Sequence, residues 1–168
     1  MQGCIEQDLI HEAQALVERL RSEGLSVVTA ESCTGGLIAA CLTHGKQAST
    51  CIHGGFIAYT KAHKAAVLGV DSRLLHEAGA VCTEVARQMA EGALKHSAAA
   101  LSIAVTGVLG PDPDEDGNPP GLVYVGVARS GRPTVVARHD FAGKPPDAVL
   151  RQSVLAAFQL LRENMSSV

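Results

Sequence analysis

The chain has 168 residues, a length that suits one domain (1–168) with a substantial core and no internal linker. Hydrophobic residues make up 46% but aromatics only 3%, so the core has to be closely packed Ala, Val, Leu and Ile. A net charge of −3 leaves no basic footprint for direct nucleic-acid contact, and no apolar run approaches the ~18 residues of a membrane span.

The opening residues, Met1-Gln2-Gly3-Cys4-Ile5-Glu6-Gln7-Asp8, carry early acids and lack the basic and apolar regions of a secretory signal. Five scattered cysteines (Cys4, Cys33, Cys41, Cys51, Cys82) fit free thiols in a reducing cytoplasm better than a disulfide framework. Ile5, Leu9, Ala13, Leu16, Val17 and Leu20 recur at helical spacing, predicting an amphipathic first helix that stops near Gly24. A β-branched run over 25–30 predicts a short buried strand, and 37–42 a helix packed against it.

Between those two elements lie Glu31-Ser32-Cys33-Thr34-Gly35-Gly36. A strand-to-helix junction points free N–H groups at whatever sits there and favours negative charge. A serine so placed can attack a carbonyl while those amides hold the oxyanion. A hydroxyl cap followed by a glycine turn accounts for the same residues without chemistry, and on this stretch alone the two readings weigh equally.

Further along, 44–55 is polar and irregular, and 56–59 predicts a second short strand. A helix over 61–68 closes at Gly69, and Thr83 is placed to cap a helix running to Lys95. The near-continuous apolar run 99–106 predicts a central strand buried on both faces. A loop rich in Gly, Pro and Asp spans 107–121, strands at 122–128 and 134–139 form a hairpin, and Pro145-Pro146-Asp147 open a last helix. Helices alternating with strands, then a late hairpin, predict a three-layer α/β/α domain around a mixed central sheet.

Three polar clusters fall at predicted strand ends: Ser32 with Thr34, Tyr59 with Lys64, and Thr106 with Gly107. If the three strands are parallel, all three clusters open on one crevice at the carboxyl ends. A lysine desolvated there can act as a neutral base toward a serine. The acidic stretch Asp112-Pro113-Asp114-Glu115-Asp116-Gly117 mimics the start of a calcium-binding EF-hand loop. It fails further on, where Val123 stands in place of the closing Glu, so it is read as a solvated turn. CxxC, HExxH and ligand-spaced histidines are absent from the sequence, so no metal site is expected.

With these pieces placed, the chain resembles the CinA C-terminal domain family, whose members include nicotinamide mononucleotide deamidases. The resemblance rests on Ala30-Glu31-Ser32-Cys33-Thr34-Gly35-Gly36, on Gly55-Phe56-Ile57-Ala58-Tyr59-Thr60 leading to Lys64 and Leu68-Gly69-Val70, and on Gly79-Ala80-Val81. It continues through Val105-Thr106-Gly107-Val108 with Gly110-Pro111, and Gly121-Leu122-Val123-Tyr124, in the family's order and spacing. It implies a three-layer α/β fold, a homo-oligomer, and hydrolysis of nicotinamide mononucleotide to nicotinate mononucleotide and ammonia without a cofactor. Ser32 matches the motif serine and Lys64 the motif lysine; Tyr59, Thr106 and Ser49 match further polar positions. Longer members carry an N-terminal domain that this sequence lacks, so a stand-alone deamidase module is expected.

On this reading Ser32 attacks the carboxamide and Lys64 takes its proton. Amides of residues 33–35 hold the oxyanion, Tyr59 relays protons or tunes Lys64, and Thr34, Gly35, Ser49, Thr106 and Gly107 position the substrate. Ser49 remains an alternative nucleophile, and Glu31 is read as structural. The chain departs from the family at Pro113-Asp114, Asn118, Cys82, the Gln47-Ala48 region and Leu150. That leaves Arg151, Lys144 and the amides of 107–110 as candidates for the substrate's phosphate. The alternatives are a pyridine-nucleotide-binding module without turnover, or a subunit that supports a partner protein.

Overall fold

A computed structural model describes residues 5–165. Cys4 and the first residues of the N-terminus lie outside them; the four described cysteines are all free thiols. Helix α1 (Gln7–Ser22) buries Leu9, Ala13, Leu16, Val17 and Leu20 in one stripe, as their spacing requires. Strand β1 (Val27–Glu31), buried throughout, is followed by α2 (Leu37–Thr43) and a single 3-10 turn at Ala48–Thr50. Then come β2 (Ile52–Ile57), α3 (Lys61–Leu68), a short α4 (Ser72–Glu77) and α5 (Thr83–Lys95). Strands β3 (Leu101–Gly107), β4 (Leu122–Arg129) and β5 (Val135–Asp140) precede the last helix, α6 (Pro146–Met165).

The strands form one sheet in the order β2-β1-β3-β4-β5. β1 pairs in parallel with β2 and β3, and β4 runs antiparallel to β3 and β5. Alternate side chains point to opposite faces, so each central strand feeds two cores. Leu101, Ile103 and Val105 of β3 pack with Val123, Val125 and Val127 under α1, α2 and α6. Val28, Ala30 and Ala104 pack on the other face against α3, α4 and α5. The three layers are therefore as the sequence predicts, with Phe158 the one aromatic ring fully buried among the described residues.

Local boundaries differ in three places. β2 begins at Ile52 rather than 56, because parallel pairing with β1 recruits Gly54 and Gly55, residues with little strand preference of their own, past a register shift at His53. It ends before Tyr59, where Ala58 N–H makes the final bond to the Glu31 carbonyl and Thr60 turns to cap α3 through His63 N–H. The cap of α5 is Cys82, not Thr83, and it makes no side-chain bond. α4 was not anticipated; Asp71 starts it by accepting from Arg73 N–H. The three parallel strands bring Glu31, Ile57 and Gly107 to one edge of the sheet, and the candidate site lies there.

Candidate active site

The β1–β3 ladder runs one residue past Glu31, with Ser32 N–H donating to the Val105 carbonyl at 3.0 Å. This pins Ser32 at the mouth of the strand, 5% exposed. The chain then reverses into α2 through Gly35 (φ 59°) and Gly36 (φ 98°), left-handed positions that a side chain would strain.

Glu31 is wholly buried and gathers the helix start. Its carboxylate accepts from Gly36, Ile38 and Ala39 N–H at 3.1, 3.0 and 2.8 Å and from the Thr34 hydroxyl at 2.7 Å. The chain's own carboxylate thus occupies the anion position that a helix N-terminus offers. Gly35 N–H is likewise spent, donating to the Ser32 carbonyl at 3.1 Å. Within this turn only Cys33 and Thr34 N–H bond no other described residue, so the oxyanion donors narrow from residues 33–35 to these two.

Lys64, in α3, is fully buried. Its ammonium donates to Ser32 Oγ at 2.7 Å, to the Ala58 carbonyl at 2.9 Å and to the Tyr59 carbonyl at 3.2 Å, using all three donors. Burial pulls its pKa down from 10.5 to about 8. Burial also pushes the adjacent Cys33 thiol up to about 12, so that sulfur stays neutral at neutral pH. When Lys64 loses one proton, the two carbonyls retain its two N–H groups. The lone pair is then left facing Ser32 Oγ, and the amine becomes the acceptor of the serine's proton.

Ser32, Cys33 and Lys64 line a cavity of about 570 Å³, within the range of small-molecule sites. Thr106 to Gly110 and the acidic turn of 112–116 form the facing wall, and Lys61 with Ala80 and Val81 bridges the two. Thr106 Oγ1 donates to the Ala80 carbonyl at 2.8 Å. Lys61 Nζ donates to Asp116 Oδ1 at 2.5 Å and lies 3.3 Å from Glu115, while Asp116 Oδ2 accepts from Ala80 N–H at 3.1 Å. Asp114 is consumed inside its own turn, accepting from the N–H groups of Asp116 and Asn118 and from the Asn118 side chain. Among the described residues no cluster of His, Cys, Asp and Glu is arranged to hold a metal ion.

The fold therefore brings Ser32, Tyr59, Lys64, Thr106 and Gly107 to one cavity and leaves other expected residues out. Tyr59 reaches Lys64 only through its main-chain carbonyl; its phenol is 72% exposed, so a tuning role for the ring has no contact behind it. The Thr34 hydroxyl is turned inward to Glu31, and Gly35 does not line the cavity. Ser49 is exposed on the turn before β2, at the end of the sheet opposite Ser32, because β2 runs parallel to β1. Within one chain it cannot exchange roles with Ser32. Arg151 is tied to the first residues of the chain, its Nε 2.8 Å from Glu6 and its Nη2 on Asp8, and Lys144 lies over the Phe141 ring. Sequence reasoning missed Lys61, Ala80 and Asp116. A basic residue one helical turn before Lys64 was the available signal for the first; Ala80 stood in the Gly79-Ala80-Val81 motif and Asp116 in the acidic stretch, but neither segment pointed to the serine junction.

Residues 10–165 match the family model described as the CinA C-terminal domain. A CinA-like protein of Prochlorococcus marinus is 46% identical over 125 residues, covering 74% of this chain and 29% of that protein. A CinA-like protein of Geobacter sulfurreducens is 40% identical over 152 residues, covering 90% of this chain and 36% of its own length. The chain thus spans about a third of the length of these curated relatives. Among solved structures, the competence/damage inducible protein CihA from Agrobacterium tumefaciens superposes with a TM-score of 0.91 at 33% identity, covering 96% of this chain and 98% of that one. A CinA superfamily protein from Escherichia coli superposes at 0.87, also at 33% identity, covering 97% and 95%.

Proposed function

This chain belongs to the CinA C-terminal domain family, and from that premise we propose that it is an amidohydrolase converting nicotinamide mononucleotide to nicotinate mononucleotide and ammonia. The observation that carries the reading is the 2.7 Å contact between Lys64 Nζ and Ser32 Oγ, made by a lysine with no exposed surface. Neutral Lys64 takes the hydroxyl proton as Ser32 Oγ attacks the carboxamide carbon. The oxyanion forms against Cys33 and Thr34 N–H. Lys64 returns the proton to the departing nitrogen, ammonia leaves, and water attacks the acyl-serine with Lys64 again as base. The chain itself supplies nucleophile, base and oxyanion donors. Four free thiols among the described cysteines support action in a reducing cytoplasm.

A binding module without turnover is the second reading. It is favoured by the engagement of Arg151 with Glu6 and Asp8, which removes an expected phosphate ligand. Ammonia release from nicotinamide mononucleotide decides between them. Turnover lost in Ser32→Ala supports the amidase, and tight nucleotide binding without ammonia supports the module.

A further inference from the structure

We propose that Lys61 is the anion anchor of this cavity and that Asp116 is its placeholder, a carboxylate standing where a substrate's phosphate binds. The inference rests on the reading that the cavity takes a small nucleotide. Among the described residues two cations line it, and Lys64 is committed to Ser32. The other is Lys61, at the first position of α3 and one turn before Lys64, about 4.5 Å along the helix axis. The two side chains diverge, Lys64 toward Ser32 and Lys61 toward the acidic turn, so one lysine addresses the carboxamide end of a small molecule and the other its anionic end.

Asp116 already shows what the position accepts. One carboxylate oxygen lies on the Lys61 ammonium at 2.5 Å and the other on Ala80 N–H at 3.1 Å, a two-donor cradle that a phosphate can fill in the same way. The space is kept open by Gly79 (φ 79°), where a Cβ would stand 2.6 Å from Asp116 Oδ2. Lys61 is 28% exposed, so an incoming anion can reach it. Arg151 and Lys144 are engaged elsewhere. A phosphate arriving at Lys61 competes with Asp116 and with Glu115, so the wild-type chain realises only part of the affinity that Lys61 can give a phosphate.

The test measures turnover of nicotinamide mononucleotide and of its unphosphorylated riboside by wild type, Lys61→Met and Asp116→Asn. Asn keeps the acceptor for Ala80 N–H and the volume over Gly79, removing only the charge. Lys61→Met should lower kcat/KM for the mononucleotide about tenfold and leave the riboside within about twofold. Asp116→Asn should raise kcat/KM for the mononucleotide about threefold or more through KM, with the riboside unchanged. Equal losses on both substrates in Asp116→Asn would mean the carboxylate only holds the wall, which overturns the placeholder. Equal effects of Lys61→Met on both, or none on either, overturn the anchor. If the wild type turns over neither substrate, the amidase reading fails by itself. The anchor is then read from ribose 5-phosphate titrations: affinity must fall in Lys61→Met and rise in Asp116→Asn, and one Kd for all three proteins refutes it.

Discussion

The wall that carries Ser32 is made from neighbours in sequence. Eleven consecutive positions, 29–39, supply the strand end, the turn, the helix start and the carboxylate that holds them together. The facing wall joins three distant segments, at Lys61, Ala80 and Asp116, through a single exposed-side carboxylate. A buried Glu accepting four hydrogen bonds makes the first wall rigid, because removing it strands several buried donors at once. The second wall rests on ion pairs that solvent screens and a competing anion can open. On the proposed mechanism the nucleophile sits on the more rigid wall, and selection of the substrate falls to the other.

Substitutions should separate the two walls by size of effect. Ser32→Ala and Lys64→Ala should each lower kcat at least about 10³-fold, and the double mutant should be little worse than either, since the pair acts as one unit. Multiplying losses in a steady-state assay would dissolve the pair. Glu31→Gln keeps the shape but turns an amide donor toward N–H groups. It should destabilise by on the order of 3 kcal/mol, lowering Tm by roughly 6–12 °C. Asp116→Asn should barely move Tm in the same calorimetric scan. Similar drops for both would erase the contrast between the walls.

Proton linkage tests the base that α3 brings against the first wall. Lys64 titrates near 8 folded and near 10.5 unfolded, so the rate should rise with pH and level off above about 8. Between those values the unfolded chain binds the proton that the folded chain has lost, so Lys64 by itself raises stability with pH across that window, against the opposite slope of the buried Cys33 and Cys41 thiols above about 9. Below it the cost of the buried charge is paid in full. Lys64→Met should abolish the rise in rate, and the stability of wild type minus that of Lys64→Met should climb from about pH 8 to 10; a constant difference would contradict the assignment. The smallest effect is expected at Arg151. Arg151→Ala should leave KM equal to wild type for mononucleotide and riboside alike, with a slight Tm loss that salt removes, because its partners Glu6 and Asp8 are surface groups. A KM rise confined to the mononucleotide would return Arg151 to the site.

The Ser32 junction was legible in the sequence because its determinants are local: a β-branched run, a carboxylate, hydroxyls and two glycines within ten residues, 27–36. The same holds for α3, whose Thr60 cap and Gly69 stop bound it at the predicted residues. Glu31's partners were less visible, since the hydrogen bonds that consume α2's amides depend on how a buried side chain turns.

What the sequence by itself determined, then, is the layer order of the fold and the polar clusters at three strand ends, both of which follow from short-range periodicity, with Ser32 and Lys64 as candidate partners on the condition that those strands run parallel. Only the tertiary structure decided which side of the sheet each distant residue reaches. Ser49 left the site because β2 pairs in parallel with β1, Arg151 because α6 packs on α1, and Asp116 entered because Gly79 leaves it room. Strand direction, helix packing and the space beside a glycine are set by contacts between segments tens of residues apart, and no local pattern encodes them.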